Sequence, residues 1–308
     1  MEQITGKNIL VTGVTGWVAG PVAAALAANG NTVYGAARFA DAAQRGPVEA
    51  TGVRPISIDL EAQRLDEVPA DVDLVLHFAV SKAADFESAL AANAEGSAAL
   101  MEACSGAEAF LHCSSTAVYE PNDHVALKEA DPLGDSHRAM GMTTYSISKI
   151  AGEVLVKHTA KRLGLPTVIA RLNVPYGDQY GWMTFHLMMM EHSIAIPVHS
   201  NAPSNYTPIH NDDIVRSLPY LLSLASVPAT IVNWGGDEIA SIEDWCEEIG
   251  RLTGLTPTFA PTENAIASIV PDLEKLHSTG FHSTVGWKDG IRRQVETIRP
   301  DLIKSATK

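Results

Sequence analysis

The sequence predicts an α/β chain: a doubly wound parallel sheet followed by a smaller C-terminal α/β lobe. Three observations carry that expectation. Short apolar runs alternate with helix-period segments, the first run ends in a glycine turn that opens a helix, and a central run is apolar on both faces, as a buried parallel strand must be.

The first strand is Asn8 to Val11, and the turn after it reads Thr12-Gly13-Val14-Thr15-Gly16-Trp17-Val18-Ala19-Gly20, with a helix over Ala23 to Ala28. Strand, glycine turn and helix make a dinucleotide-binding, Rossmann-type start: Gly13 and Gly16 let the backbone approach a pyrophosphate, which sits at the positive end of the helix. Gly13, Thr15, Gly16, Trp17 and Val18 are therefore candidate cofactor contacts. The third small position is Ala19 where glycine is commoner, a mild departure. Thr32 to Ala37 is the second strand, and Arg38 stands just past its end. An acidic residue there would hold the ribose hydroxyls of NAD; an arginine offers a fork to a 2′-phosphate, so the expected cofactor is NADP, with NAD the lesser candidate.

Pro55 to Ile58 is the third strand, closed by Asp59-Leu60, and Asp73 to Val80 the fourth. An alanine-rich helix, 83–103, carries Asn93; Ala109 to Cys113 then delivers Ser114-Ser115-Thr116 to a strand end. Ligands gather at that edge of an open α/β sheet. Pro166 to Arg171 is the sixth strand. Beyond it prolines loosen the rhythm, and helices near 213–226, 241–253 and 288–298 alternate with short strands. The expected division is a nucleotide-binding domain over 1–172 and a substrate lobe over 173–308.

Thr143 to Lys149 reads as the opening of a long helix with Tyr145 and Lys149 on one face, a turn apart. A phenol with a pKa of about 10 is a poor acid or base at neutral pH, and a nearby ammonium favours its phenolate. The pair is a candidate proton relay.

Composition bounds the partners. The chain has 308 residues, 46% hydrophobic and 19% charged, and a formal net charge of −14, which leaves no basic face for nucleic acid or an anionic membrane. The expected partner is a small-molecule substrate. Three scattered cysteines without a C-x-x-C pair, and an N-terminus without a signal-like segment, lead us to expect a cytoplasmic protein with reduced thiols. His186 and His192 are not at ligand spacing on one helix face and the other histidines are dispersed, so no metal is expected.

Taken in order, Thr12-Gly13-x-x-Gly16-x-x-Ala19, Asp59-Leu60, His77-Phe78-Ala79-Val80, Asn93-x-x-Gly96, Ser114 to Tyr119, Tyr145-x-x-x-Lys149, Arg171 to Gly177 and Ile209 to Ile214 resemble the extended short-chain dehydrogenase/reductase family. That family includes nucleotide-sugar epimerases and dehydratases. The resemblance implies that Ser115 polarises a substrate oxygen, with Thr116 as the fallback, that Tyr145 passes the proton, and that Lys149 binds the nicotinamide ribose and lowers the tyrosine pKa. It implies an accessory role for Asn93, cofactor contacts at Asp59, Leu60, Phe78, Ala79 and Val80, and a homodimer built through the helices bearing Asn93 and Tyr145.

Departures from the family pattern bear on the substrate. Tyr206 stands where nucleotide-sugar enzymes commonly place a diphosphate-holding arginine, and Val174 where they place an asparagine amide; Tyr176 and His186 complete the candidate substrate residues. The segment Trp182 to Met190 is apolar and pliable. These features lead us to expect a carbonyl reductase or alcohol dehydrogenase acting on a small or moderately hydrophobic substrate. The alternatives are an epimerase or dehydratase using the same residues, and a non-catalytic cofactor-binding regulator.

Overall fold

The computed structural model describes residues 3–303. Seven parallel strands form one sheet in the order Thr230–Trp234, Thr167–Leu172, Ala109–Ser115, Leu74–His77, Asn8–Thr12, Thr32–Ala37, Arg54–Ser57. The order reverses between Asn8–Thr12 and Leu74–His77, where Thr12 lies in register with His77. A crevice opens at such a switch point, outside the carboxyl ends of the strands. Strand Thr230–Trp234, one of the two edges of this sheet, comes from beyond residue 173 and pairs with Thr167–Leu172.

Two apolar layers cover the sheet. Ile9, Val11, Leu76, Leu111 and Val168 pack against Val22 and Leu26 of helix Ala19–Ala28 and Ile214 and Leu218 of helix Asn211–Leu222. On the other face Leu10, Val75, Phe110 and Ile169 meet Leu100 of helix Gly96–Ala103 and Val156 of helix Tyr145–Leu163. Alternate residues of each strand thus feed opposite layers, which is why these strands read as continuous apolar runs. A third cluster, around Trp245, Ile249, Leu187 and Ile196, is the core of the second lobe. Its helix Ile242–Thr253 begins with a capping box between Ser241 and Asp244.

Two expectations differ in detail. The fourth strand ends at His77, because Phe78 to Val80 leave the sheet and become a cavity wall. The alanine-rich helix is three pieces, Phe86–Leu90, a wider π-type turn Ala91–Glu95 and Gly96–Ala103. A β-carbon at Gly96 would lie 2.5 Å from the Leu60 carbonyl oxygen, so this glycine lets the loop carrying Asp59 and Leu60 rest on the helix.

Candidate functional site

The glycine turn is set by contact as well as conformation. Gly13 has φ +75°, and a β-carbon there would come within 2.9 Å of the Ala79 Cα; its N–H donates to the Ala36 carbonyl at 2.8 Å. Thr12 Oγ1 accepts from the Ala79 N–H at 3.0 Å and lies 2.7 Å from His77 Nδ1, fastening the ends of adjacent strands. Between them runs a cavity of about 250 Å³ that Gly13, Thr15, Gly16, Arg38, Asp59, Leu60, Phe78, Ala79 and Val80 all line. Val18 caps the following helix through its backbone, and Trp17 turns instead to the neighbouring cavity. Asp59 accepts from the Ala62 N–H and pairs with Arg64 at 2.5 Å.

That second cavity, about 320 Å³, opens at the end of strand Ala109–Ser115. Its floor holds Ser115 and Tyr145, the first residue of helix Tyr145–Leu163. Burial pushes the Tyr145 phenol up to about 12, against a hydrogen bond with Ser115 that pulls it down. Here the structure differs from the expectation that Lys149 would lower this pKa. The Lys149 ammonium donates to the Cys113 carbonyl at 2.9 Å, and its own pKa is lowered by burial. In the protein alone burial thus favours the neutral phenol, and a positive charge brought beside it would favour the phenolate.

Beneath them a buried ion pair fixes helix to sheet. Glu153 accepts from Arg171 Nε at 2.9 Å, from its terminal nitrogen at 2.7 Å and from Ser114 Oγ at 2.6 Å. Because Ser114 and Arg171 are register partners on neighbouring strands, one carboxylate ties both strands to the helix that presents Tyr145. Asn93 lines neither cavity: its amide bonds both polar backbone atoms of Ser81 and donates to Ser148 Oγ at 3.0 Å, holding a loop against the same helix.

The remaining candidates separate. Thr116 and Val174 line this second cavity, Thr116 with its Oγ1 accepting from Asn173 at 2.8 Å and Val174 with φ +27°, rare for a β-branched residue. Tyr206 contributes its ring, while its hydroxyl donates to the carbonyls of Ile266 and Ala267. Tyr176 and His186 do not open onto this cavity. Tyr176 is buried against Gly290 and His210, and His186 accepts from Trp245 Nε1 at 2.8 Å in the second-lobe core.

A model of the NAD dependent epimerase/dehydratase family matches residues 9–228, a span that takes in the glycine turn, Ser115, Tyr145 and Lys149. The chain belongs to that family. It is an enzyme of the extended short-chain dehydrogenase/reductase type. dTDP-D-glucose 4,6-dehydratase from Mus musculus is 25% identical over 251 residues, covering 75% of this chain and 69% of the relative. UDP-glucuronic acid 4-epimerase from Bacillus cereus, solved with UDP-glucuronic acid and NAD, superposes with a TM-score of 0.81 at 22% identity, over 95% of this chain and 99% of that one. UDP-glucose 4-epimerase from Thermus thermophilus, solved with NAD, gives 0.77 at 21% identity over 95% and 99%.

Two expectations are corrected by these findings. The NADP preference drawn from Arg38 is overturned, since the family is NAD-dependent and the solved neighbours carry NAD. Arg38 is exposed at the cavity rim, and Asp59 and Glu61 line the same cavity, a poor setting for a 2′-phosphate; an exposed guanidinium stacks on a ring as readily as it forks onto phosphate. The carbonyl-reductase reading likewise finds no support. Its residues are common to net and returned hydride transfer, so they do not encode which occurs.

The family's enzyme also carries side chains that pattern reading did not find. His137, Met142, Ile266 and Ile269 line the second cavity. His137 sits 5.3 Å from the Tyr145 ring, centre to centre, and burial lowers its pKa to about 4. Ser136 Oγ donates its one proton to the Ala117 carbonyl at 3.0 Å, so its 3.1 Å contact with His137 Nδ1 has the imidazole as donor. The neutral ring therefore keeps its Nε2 lone pair as an acceptor. No motif spacing marked this residue; only the fold places it beside Tyr145.

Proposed function

We propose that the protein is an NAD-dependent epimerase acting on a secondary hydroxyl of a sugar or nucleotide sugar. The cofactor lies in the cavity between Gly13 and Val80, and the substrate lies over Ser115 and Tyr145 against the segment 173–308. NAD, when bound, supplies the hydride acceptor and returns the hydride. Ser115 Oγ hydrogen-bonds the reacting oxygen, and Tyr145, as the phenolate that a bound nicotinamide cation would favour, takes the hydroxyl proton as the carbinol becomes a ketone and gives it back when the hydride returns to the opposite face. Atoms balance over the cycle, so the product is an isomer. Lys149 and the Glu153–Arg171 pair hold the tyrosine helix in place.

One observation favours an epimerase over a dehydratase: among the described residues, no carboxylate lines the substrate cavity. Elimination of water needs a base for the proton beside the new ketone and an acid for the departing hydroxyl, in addition to the group serving the carbinol. The test is incubation with NAD and a panel of UDP- and dTDP-sugars and the corresponding free sugars, followed by proton NMR. The expected result is an epimer with total NAD constant. A dehydrated keto-deoxy sugar, or NADH accumulating one for one with a ketone, overturns the reading.

A further inference from the structure

We infer that Asp237, His277 and His282 form a binding site for a divalent transition metal of the zinc class. Asp237 Oδ1 lies 3.1 Å from His277 Nε2 and Oδ2 lies 2.8 Å from His282 Nδ1. One potential ligand atom from each residue falls within 4.8 Å of the others. The two imidazoles are stacked, 4.6 Å between centres and 25° between planes, so both present nitrogen to the same carboxylate.

The arrangement is built, because each donor is fixed by something other than its neighbour in the trio. Leu276 and Phe281, each adjacent to one of the histidines, are both buried in the core that covers the sheet. Gly280 at φ +88° turns the chain back between them, so residues five apart face one point. Asp237 follows the edge strand Thr230–Trp234, donates its N–H to Ser283 Oγ at 3.0 Å and accepts from the Ser283 N–H at 3.3 Å. Among the described residues, neither lysine nor arginine pairs with the three side chains.

The donor set selects the class of ion. Two imidazole nitrogens and one carboxylate oxygen suit zinc, nickel, cobalt or copper, whereas magnesium and calcium prefer all-oxygen shells. All three side chains reach solvent, His282 at 62% exposure, so an ion can enter and water can complete its coordination. None of the three lines the cofactor or substrate cavity. The ion would therefore clamp the segment 277–283 to the end of the edge strand and would take no part in hydride transfer.

The test uses the 308-residue chain with any affinity tag removed, stripped with EDTA and dialysed. Zinc chloride is titrated by calorimetry, and thermal unfolding is followed with and without zinc. We expect one zinc per chain and a raised Tm, and a visible ligand-field spectrum when cobalt is added instead. Asp237→Asn and His282→Ala should each abolish the zinc-dependent Tm rise and the cobalt band while leaving the far-UV circular dichroism spectrum and cofactor binding unchanged. Absence of stoichiometric zinc binding in the wild type, or an equal zinc effect in the two variants, overturns the inference and leaves a hydrogen-bonded cluster only.

Discussion

The floor and the wall of the substrate cavity are built on opposite principles. Ser115, Tyr145 and Lys149 stand on a strand end and a long helix, tied from below by Glu153 and Arg171, both of which are buried. The wall, formed by Trp17, Trp182, Phe185, Tyr206, Ile266 and Ile269, comes from the glycine turn and from a helix, a short strand and loops of the second lobe, and these side chains are mostly apolar. At its mouth Trp17 stacks on Tyr180 with centres 5.6 Å apart, and Trp17, Tyr180 and Phe185 are each about half exposed. Chemistry that needs sub-ångström placement resides on the rigid part, and the shape that admits a substrate resides on the part that can be rebuilt.

Four measurements press on that contrast, beginning with the floor. Tyr145→Phe should lower kcat by about 10²- to 10⁴-fold, since it removes the proton-passing oxygen and keeps the ring; a variant with near-normal kcat would detach Tyr145 from the chemistry. Glu153→Ala leaves the Arg171 guanidinium buried without its partner and should cost about 3–5 kcal/mol of stability in urea unfolding. If the loss is under about 1 kcal/mol, the tie is not what holds the floor.

The third measurement concerns acid. Burial lowers His77 to about 3, His186 to about 4 and His112 well below the usual imidazole value. A base whose folded pKa is depressed binds its proton more readily in the unfolded chain. Stability from these three groups is thus complete above the unfolded pKa of about 6.5 and is lost as pH falls toward 4, by at most about 1.4 kcal/mol per pH unit for each. Unfolding free energies that stay level between pH 7 and 5 would contradict their buried, neutral state. The smallest effect belongs to the wall: Phe185→Ala should raise KM by about tenfold or less with kcat retained, the loss of partly exposed apolar contact. A fall in kcat as large as that of the tyrosine variant would erase the distinction between floor and wall.

What the sequence disclosed follows the same division. Tyr145 and Lys149 were legible because four residues on one helix fix their relation, and the glycine turn because strand, Gly13 and helix are contiguous. His137, Met142, Ile266 and Ile269 escaped because they meet only through the packing of separated segments. Arg38 misled for a different reason: a guanidinium at a strand end has several uses, and its carboxylate neighbours Asp59 and Glu61 arrive from another strand's loop. The π-type turn in 91–95 left no pattern, since it adds a residue to a turn without changing which side chains are apolar.

The late arrival of strand Thr230–Trp234 bears on how the molecule is made. While a ribosome is still synthesising the second lobe, the six earlier strands are complete, yet Thr167–Leu172 stands with one row of backbone N–H and C=O groups unpaired. An open, apolar strand edge is a template for another chain. The growing polypeptide must keep that edge apart from its neighbours until residue 234 emerges and Thr230–Trp234 covers it; the outer backbone groups of that last strand, the Asn233 N–H and the Ile231 carbonyl, are bonded in turn to Glu129 and Lys275.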